Sequence, residues 1–134
     1  MTTYVDSSAL LKHYLDEVDS DVAGEYLSAD PVLVTSWITE AEVRRNLSRA
    51  LSGKELAAMR TRAFADLDAF AMVSCDEHVS HAAAEIGETL GVRSLDAIHL
   101  ASAQRLRSEG LVFLTFDLRQ GQAARSLGFT VRGC

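Results

Sequence analysis

Asp6 follows Thr3-Tyr4-Val5, and Asp117 follows Val112-Phe113-Leu114-Thr115-Phe116. Each carboxylate closes a short apolar run that reads as a buried strand. An acid at the carboxyl end of a buried parallel strand faces the crevice where open α/β sheets bind ligands. The two runs lie more than a hundred residues apart. They therefore imply one acidic pocket assembled by the fold. Crowded carboxylates repel, and burying them is costly unless a cation compensates. Oxygen-only acids of this kind suit a hard metal ion.

Asp96 is the third informative acid. It lies in Ser94-Leu95-Asp96-Ala97-Ile98-His99-Leu100-Ala101-Ser102-Ala103, a helical pattern with almost no polar face. A buried aspartate needs a partner or a metal. An Asp in the first turn of a helix also favours its dipole and free N–H groups. Both readings stand on the residues alone. The fourth acid comes from Thr39-Glu40-Ala41-Glu42-Val43-Arg44-Arg45-Asn46-Leu47. Glu40 shares a face with Arg44 and suits an ordinary pair. Glu42 shares a face with Ile38, Arg45 and Asn46 and is the less routine residue. Arg44, Arg45 and Arg49 form a basic stripe beside it, readable as solvated charge or as phosphate contacts.

These acids need elements to position them. Thr2 to Val5 reads as a first strand, and Ser7 to Tyr14 as a helix capped by serine. Asp19 to Ser28 reads as a second helix, Ala29-Asp30-Pro31 as a turn and Val32 to Thr35 as a strand. Ser36 is expected to cap a long helix to about Leu51; Gly53 breaks it, and Glu55 to Ala69 continues as another. Phe70 to Ser74 is a short strand candidate. Asp76 to Leu90 is helical and closed by Gly91. Ser94 to Arg107 is the next helix, ended by Gly110. Leu111 to Phe116 is a strand, Leu118 to Ser126 a helix ended by Gly128, and Phe129 to Val131 a last strand. Strands alternating with helices imply an α/β fold, helix-rich, with a mainly parallel sheet covered on both faces.

The chain has 134 residues, 48% hydrophobic and 24% charged, which suits one folded domain over residues 1–134. No apolar run approaches a membrane span, and Met1-Thr2-Thr3 leads into a strand without a basic stretch. The expected location is the cytoplasm. Cys75 and Cys134 make neither a disulfide framework nor a zinc spacing. The formal net charge is −6, which argues against non-specific duplex binding by charge. Eleven of the basic residues are Arg against two Lys, and arginine suits bidentate phosphate or carboxylate contact.

The chain resembles a family. Tyr-Val-Asp-Ser-Ser-Ala-Leu-Leu-Lys at its start looks like the opening of PIN-domain ribonucleases. Thr35 to Arg45 resembles their second motif, whose acid falls on Glu42. Arg93-Ser94-Leu95-Asp96-Ala97-Ile98-His99-Leu100-Ala101 is similar to the third, and Leu114-Thr115-Phe116-Asp117 with Ala123-Ala124 and Gly128 to the last. Order, spacing and length resemble the toxin subunit of VapBC-type toxin–antitoxin pairs. One departure is the tail, where Arg132-Gly133-Cys134 replaces the usual Pro-Gly.

The resemblance implies a PIN-like three-layer α/β/α sandwich with a short sheet. It implies a Mg²⁺- or Mn²⁺-dependent endoribonuclease toxin that cuts structured RNA, tRNA or rRNA, and inhibits translation. Asp6, Glu42, Asp96 and Asp117 would be its catalytic and metal-holding acids, with Asp6 and Asp96 the direct ligands. Ser7 and Thr115 are expected to support them. A cognate VapB-like antitoxin would neutralise the toxin, and the chain would form a homodimer. Leu11, Trp37, Leu47 and Leu51 are apolar positions that need not all fit one core.

Two other classes compete. A receiver domain shares the size, the α/β pattern and an acidic Mg²⁺ pocket, but needs a lysine after its last strand; the only lysines are Lys12 and Lys54. A non-catalytic acidic module would merely bind a basic partner. His99 reads as a packed, hydrogen-bonded histidine, and Trp37 as core or subunit interface. His13, His78 and His81 share no zinc spacing.

Overall fold

The computed structural model describes residues 2–107 and 110–134. Five strands form one sheet: β1 (Thr2–Val5), β2 (Val32–Ser36), β3 (Ala71–Val73), β4 (Leu111–Leu114) and β5 (Thr130–Arg132). Their order is β3-β2-β1-β4-β5, and all four pairings are parallel. The sheet is thus wholly parallel rather than mainly so. The middle strands are the apolar ones. Every residue of β4 is buried, whereas β3 and β5 at the edges are short and partly exposed.

Among the described residues there are also seven helices: α1 (Ser7–Tyr14), α2 (Ser20–Ala29), α3 (Ile38–Ala50), α4 (Gly53–Asp68), α5 (Glu77–Leu90), α6 (Ser94–Arg105) and α7 (Leu118–Ser126). They cover both faces of the sheet and give the three layers. On one face Val5 and Leu114 meet Leu10 and Tyr14 of α1, Val43 and Leu47 of α3, and Ala63 and Leu67 of α4. On the other, Tyr4, Val34 and Phe113 meet Val79 and Ile86 of α5, Ala97 and Leu100 of α6, and Ala123 of α7. Small residues let α6 lie close: Ala97, Ala101, Ser102 and Ala103 are all buried. Adjacent residues of β1 and β4 therefore serve opposite cores, as strand alternation requires.

Element ends shifted by a residue or two from the sequence reading, most visibly at β4 and β5. Gly91 ends α5 as expected, in the left-handed region at φ 67°. Helix capping differs in a way that matters for function. Asp6, not a serine, caps α1 and accepts from the Ala9 N–H at 3.2 Å. Asp117 likewise caps α7, accepting from the Arg119 and Gln120 N–H groups at 2.9 and 3.1 Å. Ser36 caps the start of α3 as expected: its Oγ accepts from the Ile38 N–H at 3.3 Å, and Trp37 between them already has helical backbone angles. Leu47 is fully buried, and Leu11 and Leu51 pack against the same core, so these three fit one interior after all. Trp37 is not core: it is 54% exposed.

The sheet order fixes the site. From β1 the chain moves outward through β2 and β3, then returns to the other side of β1 as β4. The carboxyl ends of β1 and β4 thus flank the point where the winding reverses, where such sheets open a crevice.

Candidate active site at the β1–β4 switch point

Asp6 sits just beyond β1, and its N–H donates to the Leu114 carbonyl of β4 at 3.2 Å. Its side chain is buried and held by a hydroxyl network. Ser8 Oγ donates to Asp6 Oδ1 at 2.6 Å and accepts from the Phe116 N–H at 3.0 Å. Thr115 Oγ1 lies 3.2 Å from Ser8 Oγ and accepts from the Asp117 N–H at 3.1 Å. The Ser8 proton is committed to Asp6, so Thr115 donates to Ser8. Asp6 and Asp117 are joined through two hydroxyls. It is Ser8, and not its neighbour Ser7, whose hydroxyl bonds the Asp6 carboxylate.

Asp117 continues to Asp96. Gln120, almost fully buried, donates its backbone N–H to Asp117 and its side-chain N–H to the Asp96 carbonyl at 3.0 Å. Gln120 Oε1 has no partner among the described residues. Arg93 closes the ring: its Nε lies 3.0 Å from Asp96 Oδ2 and its terminal nitrogen 3.8 Å from Asp117 Oδ2. Asp96 is therefore a partly exposed acid with a guanidinium beside it, not a fully buried one and not a side-chain cap. Glu42, on α3, accepts from His99 Nε2 at 2.6 Å, and His99 Nδ1 lies 2.8 Å from the Tyr4 hydroxyl. The expected packed histidine thus turns out to be bound to one of the four acids. Glu40 faces elsewhere, lining a groove with Arg44, Arg60 and Phe64.

The electrostatics follow from burial. Desolvation raises the Asp6 carboxyl above its usual value; His99, the Ser8 and Thr115 hydroxyls and the Ala9 N–H oppose it. Burial also pushes the Tyr4 phenol well above its ordinary value, with Asp6 and Glu42 adding to the effect. The Arg93 guanidinium is raised, chiefly by its hydrogen bond to Asp96.

A stability effect arises here. A carboxyl whose folded value is raised contributes stability that is full below its unfolded value of 3.8 and is lost as pH rises through the folded value. Above that range the charged form of Asp6 weighs on the ion-free fold. Asn caps as well as Asp, and its Oδ1 accepts from both Ser8 and Ala9. Asp6→Asn is therefore expected to raise the melting temperature by a few degrees, about 0.5–2 kcal/mol. The gap should narrow on acidification. Melting curves of both proteins in chelator at neutral and acidic pH test it; an Asn variant that melts lower at neutral pH would contradict the argument.

Among the described residues, no three His, Cys, Asp or Glu side chains are gathered as an ion would gather them. The expected cluster is thus looser than metal ligation requires. Arg93 stands between Asp96 and Asp117, and its charge offsets their repulsion. The donors are carboxylate oxygens at one sheet end, drawn to a cation of the protein's own. Such a donor set fits a divalent ion.

Beside the acids runs an open cleft of about 570 Å³, lined by Ser8, Lys12, Asn46, Arg49, Phe116 and Asp117 among others. It separates the three arginines of the basic stripe. Arg49 lines this cleft, whereas Arg44 belongs to the groove against α4 and Arg45 lines neither. The sequence did not single out Arg93, Ser8 or Asn46. Arg93 stood in plain view, three residues before Asp96.

Comparisons with known proteins agree on the family and the fold. The PIN domain family model matches residues 3–126. Ribonuclease VapC46 of Mycobacterium tuberculosis is 37% identical over 128 residues, covering 96% of this chain and 94% of the relative. The crystal structure of Mycobacterium tuberculosis VapC20, described as a Sarcin-Ricin loop cleaving toxin, superposes with a TM-score of 0.74 at 18% identity, covering 96% of each chain. A toxin–antitoxin complex from Klebsiella pneumoniae gives 0.69 at 21% identity, covering 86% of each chain. The two structures show the shared fold.

Proposed function

This chain belongs to the PIN-domain family, and from that premise we propose that it is a metal-dependent endoribonuclease, the VapC-type toxin of a toxin–antitoxin pair. Its proposed substrate is structured RNA, tRNA or rRNA, whose phosphodiester bonds it hydrolyses, so that translation stops. The observation that carries this reading is the linked set of Asp6, Asp96 and Asp117 at the sheet's switch point, the last two paired with a displaceable cation, Arg93. The whole-length relation to a ribonuclease supports it.

Asp6 and Asp96 would hold Mg²⁺ or Mn²⁺ directly, and Glu42 and Asp117 directly or through water. When bound, such an ion lowers the pKa of a water and stabilises charge on the phosphoryl and leaving oxygens. The residues of the chain do the rest. The Ser8–Thr115 pair and the α1 cap fix the Asp6 carboxylate. Gln120 fixes the backbone of Asp96 against the α7 cap. Arg49, Lys12 and Asn46 in the cleft would meet the RNA backbone, a local attraction that a chain of net charge −6 needs. Arg93 is 78% exposed and can exchange a carboxylate for a phosphate. No serine, histidine or tyrosine nucleophile is required.

The partners are proposed on the same footing. A VapB-like antitoxin would place a basic residue against the acids, as Arg93 does within the chain. A homodimer would cover apolar surface, for which the groove around Trp37, Phe64, Phe70 and Met72 is available. No described helix is long and apolar enough to cross a membrane.

The test uses purified protein and total RNA with Mg²⁺, Mn²⁺ or chelator. Discrete fragments are expected with either ion and none in chelator, and co-expressed antitoxin should suppress them. Fragments that persist in chelator would sink the metal-dependent reading. Intact RNA under every condition would favour a non-catalytic acidic module.

A further inference from the structure

Glu42 reaches the site from the first turns of α3, and its carboxylate has one side-chain hydrogen-bond partner among the described residues. His99 Nε2 donates to Glu42 Oε1 at 2.6 Å. With that proton on Nε2, Nδ1 is free to accept from the Tyr4 hydroxyl at 2.8 Å. The ring reaches both oxygens at once, and burial keeps the Tyr4 phenol protonated. His99 is 1% exposed and Tyr4 0%, while the Glu42 side chain is 19% exposed. Tyr4 is fixed in turn, stacked on Phe113 with ring centroids 5.3 Å apart and edge-on to His99 at 5.9 Å. A rigid line of contacts thus runs from the middle of the sheet, through α6, to one carboxylate oxygen on α3.

We infer that Tyr4 and His99 form a positioning strut for Glu42, which holds one carboxylate oxygen and so presents the other to a divalent ion beside Asp6. This rests on the reading of Glu42 as an ion-holding acid. The physical need is plain. Glutamate has three rotatable side-chain bonds, and an untethered one at the mouth of the site would spread over many rotamers. Short charge-assisted hydrogen bonds select one. Partners that orient metal-holding residues typically matter about tenfold to a hundredfold in ion affinity. The distribution of burial agrees with a strut: the two supporting residues are sealed in the core, and only the acid they support meets solvent.

Mn²⁺ binding to the full chain, measured calorimetrically without RNA, tests this. His99→Leu is expected to weaken binding by roughly tenfold to a hundredfold. His99→Gln, whose amide N–H can stand in for Nε2–H, should recover most of the loss. Tyr4→Phe keeps the ring and should weaken binding a few-fold. In a Glu42→Ala background, His99→Leu should cause no further loss, because its effect passes through Glu42. KM for RNA should stay put while kcat falls at limiting Mn²⁺.

His99→Gln and Tyr4→Phe preserve volume, so they keep the test sharp should His99→Leu fail to fold. Folded His99 variants that bind Mn²⁺ like the parent would overturn the strut and leave the site assignment intact. So would a His99→Leu loss that persists undiminished without Glu42, which marks a general packing role. A parent chain that binds no Mn²⁺ would overturn both.

Discussion

Asp6→Asn and Asp96→Asn are each expected to cut RNA at least about a hundredfold more slowly than the parent, since loss of even a supporting residue at a metal site costs on that scale. Each change removes a negative charge and a strong oxygen ligand with almost no change in volume. Neither should unfold the protein. The amide oxygen introduced by Asp6→Asn would still cap α1, and the Asp96–Arg93 pair is an exposed one worth about 0–1 kcal/mol. Asp76 provides the control. It too caps a helix, accepting from the Val79 N–H at 3.0 Å, and pairs with Arg105 at 3.1 Å. Asp76→Asn should leave cutting intact. Initial rates on one RNA across a Mn²⁺ series give the comparison. Undiminished cutting by either site variant would remove that residue from the mechanism, and an equal loss in all three would mean that the loss of any paired acid, rather than the site, is being measured.

The second large effect belongs to the core beneath the site. Phe113 on β4 is fully buried, stacked against Tyr4 and 5.8 Å from the ring of Phe129. Phe113→Ala removes a whole ring and leaves a cavity, at a cost of about 3–5 kcal/mol. A domain of this size has roughly 5–15 kcal/mol in total, so the melting temperature should fall by about 10–20 °C. Phe64→Ala, at a side chain 65% exposed on α4, should change it little. Thermal melts of both variants decide whether burial, rather than aromatic identity, sets the cost. Similar losses for the two would mean that Phe64 is covered in the folded state in solution.

The parts of the site that could be read from the sequence are those carried by short runs. Asp6 and Asp117 stood out because each closes an apolar strand, and parallel pairing then had to bring the strand ends together. Asp96 was visible because an acid broke a helix of small and apolar residues. Glu42 against Glu40 was a question of helical phase, and the structure turns Glu42 toward His99 and Glu40 toward Arg44 and Phe64. What escaped were bonds that cross between elements. His99 and Glu42 are 57 residues apart, and no local pattern marks a histidine that will meet a carboxylate. Arg93 escaped as well, since an exposed arginine looks the same whether or not acids converge on it. Ser7 and Ser8 are chemically alike, and only the folded chain decides which hydroxyl bonds Asp6. The strand order was not legible either, because alternation of strand and helix fits several windings.

Asp6 begins a helix directly after β1 and Asp117 begins one three residues beyond β4, so under the proposed function each would be retained by two independent pressures. A lineage that lost its chemistry would still benefit from an oxygen acceptor at both places, and drift there would be slow. Glu42 and Asp96 serve no cap, so a decayed descendant would shed them first. In a pseudoenzyme of this fold, the two aspartates at the strand ends would outlive the activity, and the two helix-borne acids would record when it was abandoned.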